Sequence, residues 1–113
     1  MTDLYQQTCE ACRADAPRVP VDEAEVMLEE IPLWRIQQQE GVKQLARNFK
    51  FKNFVEALAF TNTVANLAEE EGHHPKLVLE WGSVEVVWWT HKIKGLHKND
   101  FVMAAKTDKL YEG

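Results

Sequence analysis

Cysteine is scarce in this 113-residue chain: Cys9 and Cys12 are the only two. They form C-x-x-C, a spacing used by redox pairs and by half of a zinc site. A structural zinc site needs a second pair of ligands, and the sequence offers no second C-x-x-C and no H-x₃-H. A thioredoxin-like motif needs a strand before it and a helix after it. Here the flanks are a polar N-terminus and Arg13-Ala14-Asp15-Ala16-Pro17, so the two thiols read as ordinary ones. Long apolar runs are also missing. Val86-Val87-Trp88-Trp89 ends after four residues, where a membrane helix needs about twenty. Basic residues are in the minority, 13 against 18 acidic ones, for a net charge of −5. That leaves no broad positive footprint for nucleic acid. The opening Met1-Thr2-Asp3-Leu4-Tyr5-Gln6-Gln7 lacks the basic-then-apolar layout of a secretion signal, and a cytoplasmic location is expected. There is no low-complexity segment.

What is present suits one ordinary soluble domain, 45% hydrophobic and 27% charged. Residues 1–20 read as a flexible leader closed by Pro17 and Pro20, and residues 21–113 as the domain. Asp22 with Glu25 marks a helix start, and Pro32 its end. Leu33 to Gln39 reads as a strand with Trp34 and Ile36 on one face, and Glu40-Gly41 as its turn. Val42 to Phe51 alternates and completes a hairpin. Asn53 caps a long helix whose apolar face is wide. Phe54, Leu58, Thr61 and Ala65 form one line, and Ala57, Phe60, Val64 and Leu67 another. Gly72 ends that helix, and Pro75 forbids its continuation.

A second hairpin follows. Leu77, Leu79 and Trp81 face one way, Gly82-Ser83 turns, and Val84, Val86, Trp88 and Thr90 share a side of the last strand. A final helix runs from about Lys98 to Leu110, with Asp100 in its first turn, where the helix dipole favours negative charge. The order α-β-β-α-β-β-α predicts an α+β fold: a four-stranded, largely antiparallel sheet with helices on one face. The last strand is apolar on both faces at Val86 to Trp89. Helices cover only one face, so a second subunit is expected against the other face or the sheet edge.

All four histidines, His73, His74, His91 and His97, fall within 25 residues near the C-terminus. His73 and His74 leave the long helix and His91 ends the last strand, and element ends are where polar side chains converge on a cleft. One histidine at a helix end is ordinary capping. Two adjacent imidazoles exceed what a cap needs, and a third reaching the same cleft would gather groups that exchange protons near neutral pH. Glu69 lies one turn before His73. Three histidines and a carboxylate also suggest zinc, but neighbours in sequence rarely point both rings at one ion, and the helical signature H-E-x-x-H is absent. No Ser or Cys stands at a suggestive spacing for nucleophilic catalysis. Acid–base chemistry without a metal, on a small polar molecule, is the expectation.

The series Glu69-x₃-His73-His74-Pro75, x₅ to Trp81, x₉ to His91 and x₈ to Asp100 resembles the signature of the pterin-4a-carbinolamine dehydratases. The resemblance covers about residues 21–111. It includes Phe51-Lys52-Asn53-Phe54, Thr90-His91 and Gly95-Leu96, and is greatest to bacterial members associated with phenylalanine hydroxylase. It implies an α+β fold, a homo-oligomer (dimer or tetramer), no cofactor, and a pterin as small-molecule substrate. The implied reaction removes water from 4a-hydroxytetrahydrobiopterin to give quinonoid dihydropterin, so recycling the tetrahydropterin of aromatic amino-acid hydroxylases. It further implies His73, His74 and His91 as the catalytic set, Glu69 orienting a histidine, Pro75 fixing the His-His turn, Asp100 organising the loop before the last helix, and Trp81 as a candidate wall for the pterin ring. Members often carry Ser or Thr after Gly-Leu to cap that helix, whereas His97 stands here. The family also implies a second possibility, a non-catalytic role as a dimerisation partner or as an expression regulator for phenylalanine hydroxylase.

Overall fold

The computed structural model describes residues 21–91 and 95–112. The leader expected at 1–20, with Cys9 and Cys12, lies outside the described residues. Among the described residues three helices and four strands follow in the expected order: α1 Val21–Leu28, β1 Arg35–Gln39, β2 Val42–Lys50, α2 Phe54–Glu71, β3 Lys76–Glu80, β4 Ser83–Trp88 and α3 Lys98–Glu112. All strand pairings are antiparallel, in the order β1-β2-β4-β3, so β4 returns between β2 and β3.

Each hairpin is set by its turn. Gln39 pairs with Val42, leaving Glu40 and Gly41 as a two-residue loop, both at positive φ. That turn twists in the same sense as the strands it joins. The first strand is shorter than the pattern suggested. After Pro32 the chain is still turning: the Trp34 amide donates to the Ile31 carbonyl, and extended pairing begins at Arg35. Trp34 is nonetheless buried in the core, while Ile36 is exposed.

The core lies between one sheet face and the helices. Leu45 and Phe49 of β2 and Val84, Val86 and Trp88 of β4 meet Ala57, Phe60, Val64 and Ala68 of α2 and Phe101 to Ala105 of α3. These α2 positions recur at three and four residues, one stripe of a helix. The other expected line, Phe54 and Leu58, is exposed together with Val55. On the second face of β4, Val87 is fully buried, whereas Glu85 and Trp89 are half-buried. Exposed apolar side chains include a row on α2, Phe54, Val55 and Leu58, along with Val26, Leu33, Ile36 and Trp81 elsewhere.

The architecture gathers four element ends. Lys76 at the start of β3 pairs with Val87, so His74 and Pro75 run beside the C-terminal end of β4. The C-terminus of α2 leads directly into them. The N-terminus of α3 reaches the same end through an isolated bridge, Thr90 to Gly95.

Candidate active site

Local backbone chemistry turns the two adjacent histidines away from α2. Gly72 sits in the left-handed region, at φ 65° and ψ 30°. Its amide donates to the Glu69 carbonyl, and the His73 amide donates to the Ala68 carbonyl at 3.1 Å. This is the two-bond helix terminus that a residue at positive φ makes possible, and glycine adopts it without steric cost. The stop therefore fixes where His73 and His74 leave the helix.

The two rings go to different places. His73 is buried and stacks on Trp88, with ring centroids 5.6 Å apart. Its Nε2 meets Asp100 Oδ1 at 2.7 Å. Asp100 is fully buried, and its other oxygen accepts from Thr90 Oγ1 and from the His97 amide, each at 2.8 Å. A buried carboxylate is tolerated when its lone pairs are met by donors, and three donors meet this one. With a carboxylate as acceptor, His73 donates from Nε2.

His74 is exposed and its Nε2 hydrogen-bonds Glu69 Oε1, one turn back on α2. Both side chains are largely open to water, 61% and 78% exposed. Such a pair contributes little to stability, so its consequence is the orientation of the ring. His91, also exposed, stacks on Trp89 with centroids 4.4 Å apart. Its Nε2 lies 3.2 Å from the His74 main-chain carbonyl. A carbonyl only accepts, so His91 donates from Nε2. In both exposed rings Nε2 is engaged as the donor, which makes Nδ1 the nitrogen that can exchange a proton in the neutral ring.

The structure thus places His73 with Asp100 in a buried network, and Glu69, His74 and His91 in an exposed group joined to it through the His73-His74-Pro75 segment. It does not bring Trp81 to them within one chain. Trp81 lies in the β3–β4 turn, at the opposite end of β3, and is 68% exposed. Five strand residues separate it from Pro75, roughly 17 Å at the usual rise of a strand. Three residues of the site escaped the sequence reading. The sequence sets Thr90 on one strand face with Val84, Val86 and Trp88 but does not mark it as a partner of Asp100, and it marks Trp88 and Trp89 only as strand residues, not as stacking surfaces. The period-two pattern carries this signal, since it sets Thr90 on the face of Trp88. Among the described residues no group of three or more His, Cys, Asp or Glu side chains is placed to hold a metal ion. No described helix is long and apolar enough to cross a membrane.

The chain is similar to known proteins over most of its length. The family model for pterin 4 alpha carbinolamine dehydratase matches residues 17–110. A protein of Saccharophagus degradans is 98% identical over 113 residues, the whole of both chains. One of Marinobacter nauticus is 61% identical over 111 residues, covering 98% of this chain and all of that one. Both carry the family's name, pterin-4-alpha-carbinolamine dehydratase. Among solved structures, a transcriptional coactivator/pterin dehydratase from Brucella melitensis superposes with a TM-score of 0.74 at 31% identity, covering 83% of this chain and 98% of that one. A pterin dehydratase-like protein identified as a RuBisCO assembly factor of the alpha-carboxysome gives 0.59 at 25% identity, covering 69% and 88%. The chain belongs to the pterin-4a-carbinolamine dehydratase family, a family of hydro-lyases.

Proposed function

We propose that this protein dehydrates 4a-hydroxytetrahydropterin to quinonoid dihydropterin by histidine acid–base exchange, without a metal or cofactor. The C4a–O bond breaks as the hydroxyl takes a proton and leaves as water, the N5–H bond gives up its proton, and a C4a=N5 double bond forms. Hydroxide is a poor leaving group, so an imidazolium serves as acid, and a neutral imidazole accepts the N5 proton. Each such transfer is worth about 10²–10⁴-fold in rate.

The observation that carries this reading is the contact between His91 Nε2 and the His74 carbonyl. It holds the His91 ring against the backbone of His74, whose own ring is tied through Nε2 to Glu69, and both rings are exposed. His74 and His91 are the acid and the base, His73 binds and polarises the hydroxyl, Glu69 orients His74, and Pro75 holds the His-His turn. The domain is residues 21–113, and the protein acts in the cytoplasm. The decisive experiment follows decay of the carbinolamine by absorbance with the intact protein and with His74→Ala and His91→Ala. Full activity in both variants overturns the reading, and so does a rate that falls when a chelator is added.

The protein is further proposed to work as a homo-oligomer. The support is the apolar row Phe54, Val55 and Leu58 left uncovered on α2. The same row favours a second reading, a binding or regulatory role toward phenylalanine hydroxylase or its expression. Two structural relatives are a transcriptional coactivator/pterin dehydratase and a pterin dehydratase-like RuBisCO assembly factor. A pull-down with the hydroxylase, set beside the absorbance assay, separates the two.

A further inference from the structure

We propose that His97 is a positioning residue of this site: its imidazole caps α3 and thereby holds the Asp100 carboxylate against His73. The kinetic arm of this inference rests on the dehydratase reading, and its structural arm does not.

The residue before Lys98 occupies the N-cap of α3. Helix starts leave several amides without an intrahelical acceptor, and Ser, Thr, Asp and Asn are the usual side chains that supply one. Here the acceptor is a ring nitrogen. The Asn99 amide donates to His97 Nδ1 at 3.0 Å. Three positions into the helix, Asp100 reaches back and accepts from the His97 amide at 2.8 Å. The Asp100 amide in turn donates to the His97 carbonyl at 3.0 Å. These are the reciprocal bonds of a capping box, built with imidazole and carboxylate in place of hydroxyl and glutamate. Accepting at Nδ1 fixes the ring proton on Nε2, so the cap selects one neutral tautomer.

The box is continuous with the site. The Asp100 oxygen that closes it also accepts from Thr90 Oγ1, and the opposite oxygen meets His73 Nε2. His97, Asn99, Asp100, Thr90 and His73 are all buried. Water does not readily replace a missing partner in such a place. Deleting the His97 ring leaves the buried Asn99 amide without that acceptor. The Asp100 carboxylate, one residue on at the same helix start, is the acceptor proposed to turn toward it. Turning to meet Asn99 draws it away from His73. A cap at the head of α3 is in this way coupled to the orientation of a histidine that leaves α2.

The test uses the full-length protein, labelled with ¹⁵N-histidine, as wild type, His97→Ala and His97→Ser. Long-range ¹H–¹⁵N spectra without substrate report the His73 tautomer and its hydrogen-bonded Nε2 proton. The expectation is that wild type and His97→Ser show a protonated, hydrogen-bonded Nε2, and that His97→Ala loses that signal. In the absorbance assay His97→Ala lowers kcat by about 10-fold or more, as expected for misplacement of a reacting group. KM stays within about two-fold, and His97→Ser restores kcat. If His97→Ala does not fold, His97→Gln, which keeps bulk without cap geometry, takes its place with the same readouts. A His73 signal unchanged in the cap-deficient variant overturns the proposal, whether or not the melting temperature falls. If no form turns over the carbinolamine, wild type included, the dehydratase reading fails, and the spectra alone decide the role of His97.

Discussion

His91 donates from Nε2 to the main-chain carbonyl of His74, and this single bond ties the end of β4 to the segment between α2 and β3. Because the acceptor is backbone, the side chain of His74 can be removed without abolishing it. The two histidines should therefore separate cleanly from the fold. His74→Ala and His91→Ala are each expected to lower kcat by about 10²-fold or more, with melting temperatures near wild type, since both rings are exposed. Groups that act as a unit are not additive, so the double variant should lose far less than the product of the single losses. A product-sized loss would mean that the two rings act in separate steps.

Gly72 should matter twice. A Cβ built there meets nothing within 4 Å, so the cost of Gly72→Ala comes from its φ of 65° alone. Forcing alanine into that region costs roughly 1 kcal/mol. The same strain shifts the point at which His73 and His74 leave α2. The expected result is a lower urea midpoint accompanied by a reduced kcat. A fall in stability with unchanged kcat would show that the helix stop does not govern the histidines.

Trp81 is expected to be silent in catalysis. It lies at the far end of β3, in the turn, and is largely exposed. Trp81→Ala should leave KM for the carbinolamine unchanged. A raised KM would require a second copy of the chain to carry Trp81 to the histidines.

The sequence held most of the fold and about half of the site's logic, and the division has a physical basis. Periodicity and turn residues are local, so Asn53 reads directly as the cap of α2, and its side chain does accept from the Glu56 amide at 2.9 Å. Gly72 reads equally well as the stop. Contacts between distant elements leave no such mark. Nothing local ties Asp100 to His73 across 27 positions, or Trp34 to Asp108 across 74. The width of the α2 apolar face was legible, but not which line would be buried. Phe54 and Leu58 are as apolar as Phe60 and Val64, and only the sheet's position decides between them. The cap at α3 was legible only as a departure, because imidazole is an unusual N-cap.

The last expectation concerns pH and lies outside the histidine cluster. Asp108 on α3 accepts at one oxygen from Trp34 Nε1 at 2.7 Å and from Arg47 at 2.6 Å. Despite these partners, burial of the carboxyl outweighs them and raises its pKa above the ordinary 3.8. The hydrogen bond from Trp34 and the charge of Arg47 oppose that rise, and Glu112 adds to it. A raised value means that the folded chain keeps this proton after the unfolded chain has released it. Stability from this group is fully present below 3.8 and is lost as pH climbs through the folded value. The direction is opposite to that of a carboxylate whose ion pair dominates. Asp108→Asn removes the titration while keeping the shape and an acceptor for Trp34. Urea unfolding of both proteins, from just below pH 3.8 upward to neutrality, should therefore show the variant gaining on wild type as pH rises. A variant that instead falls behind over that interval would mean that Arg47 outweighs burial at this carboxyl.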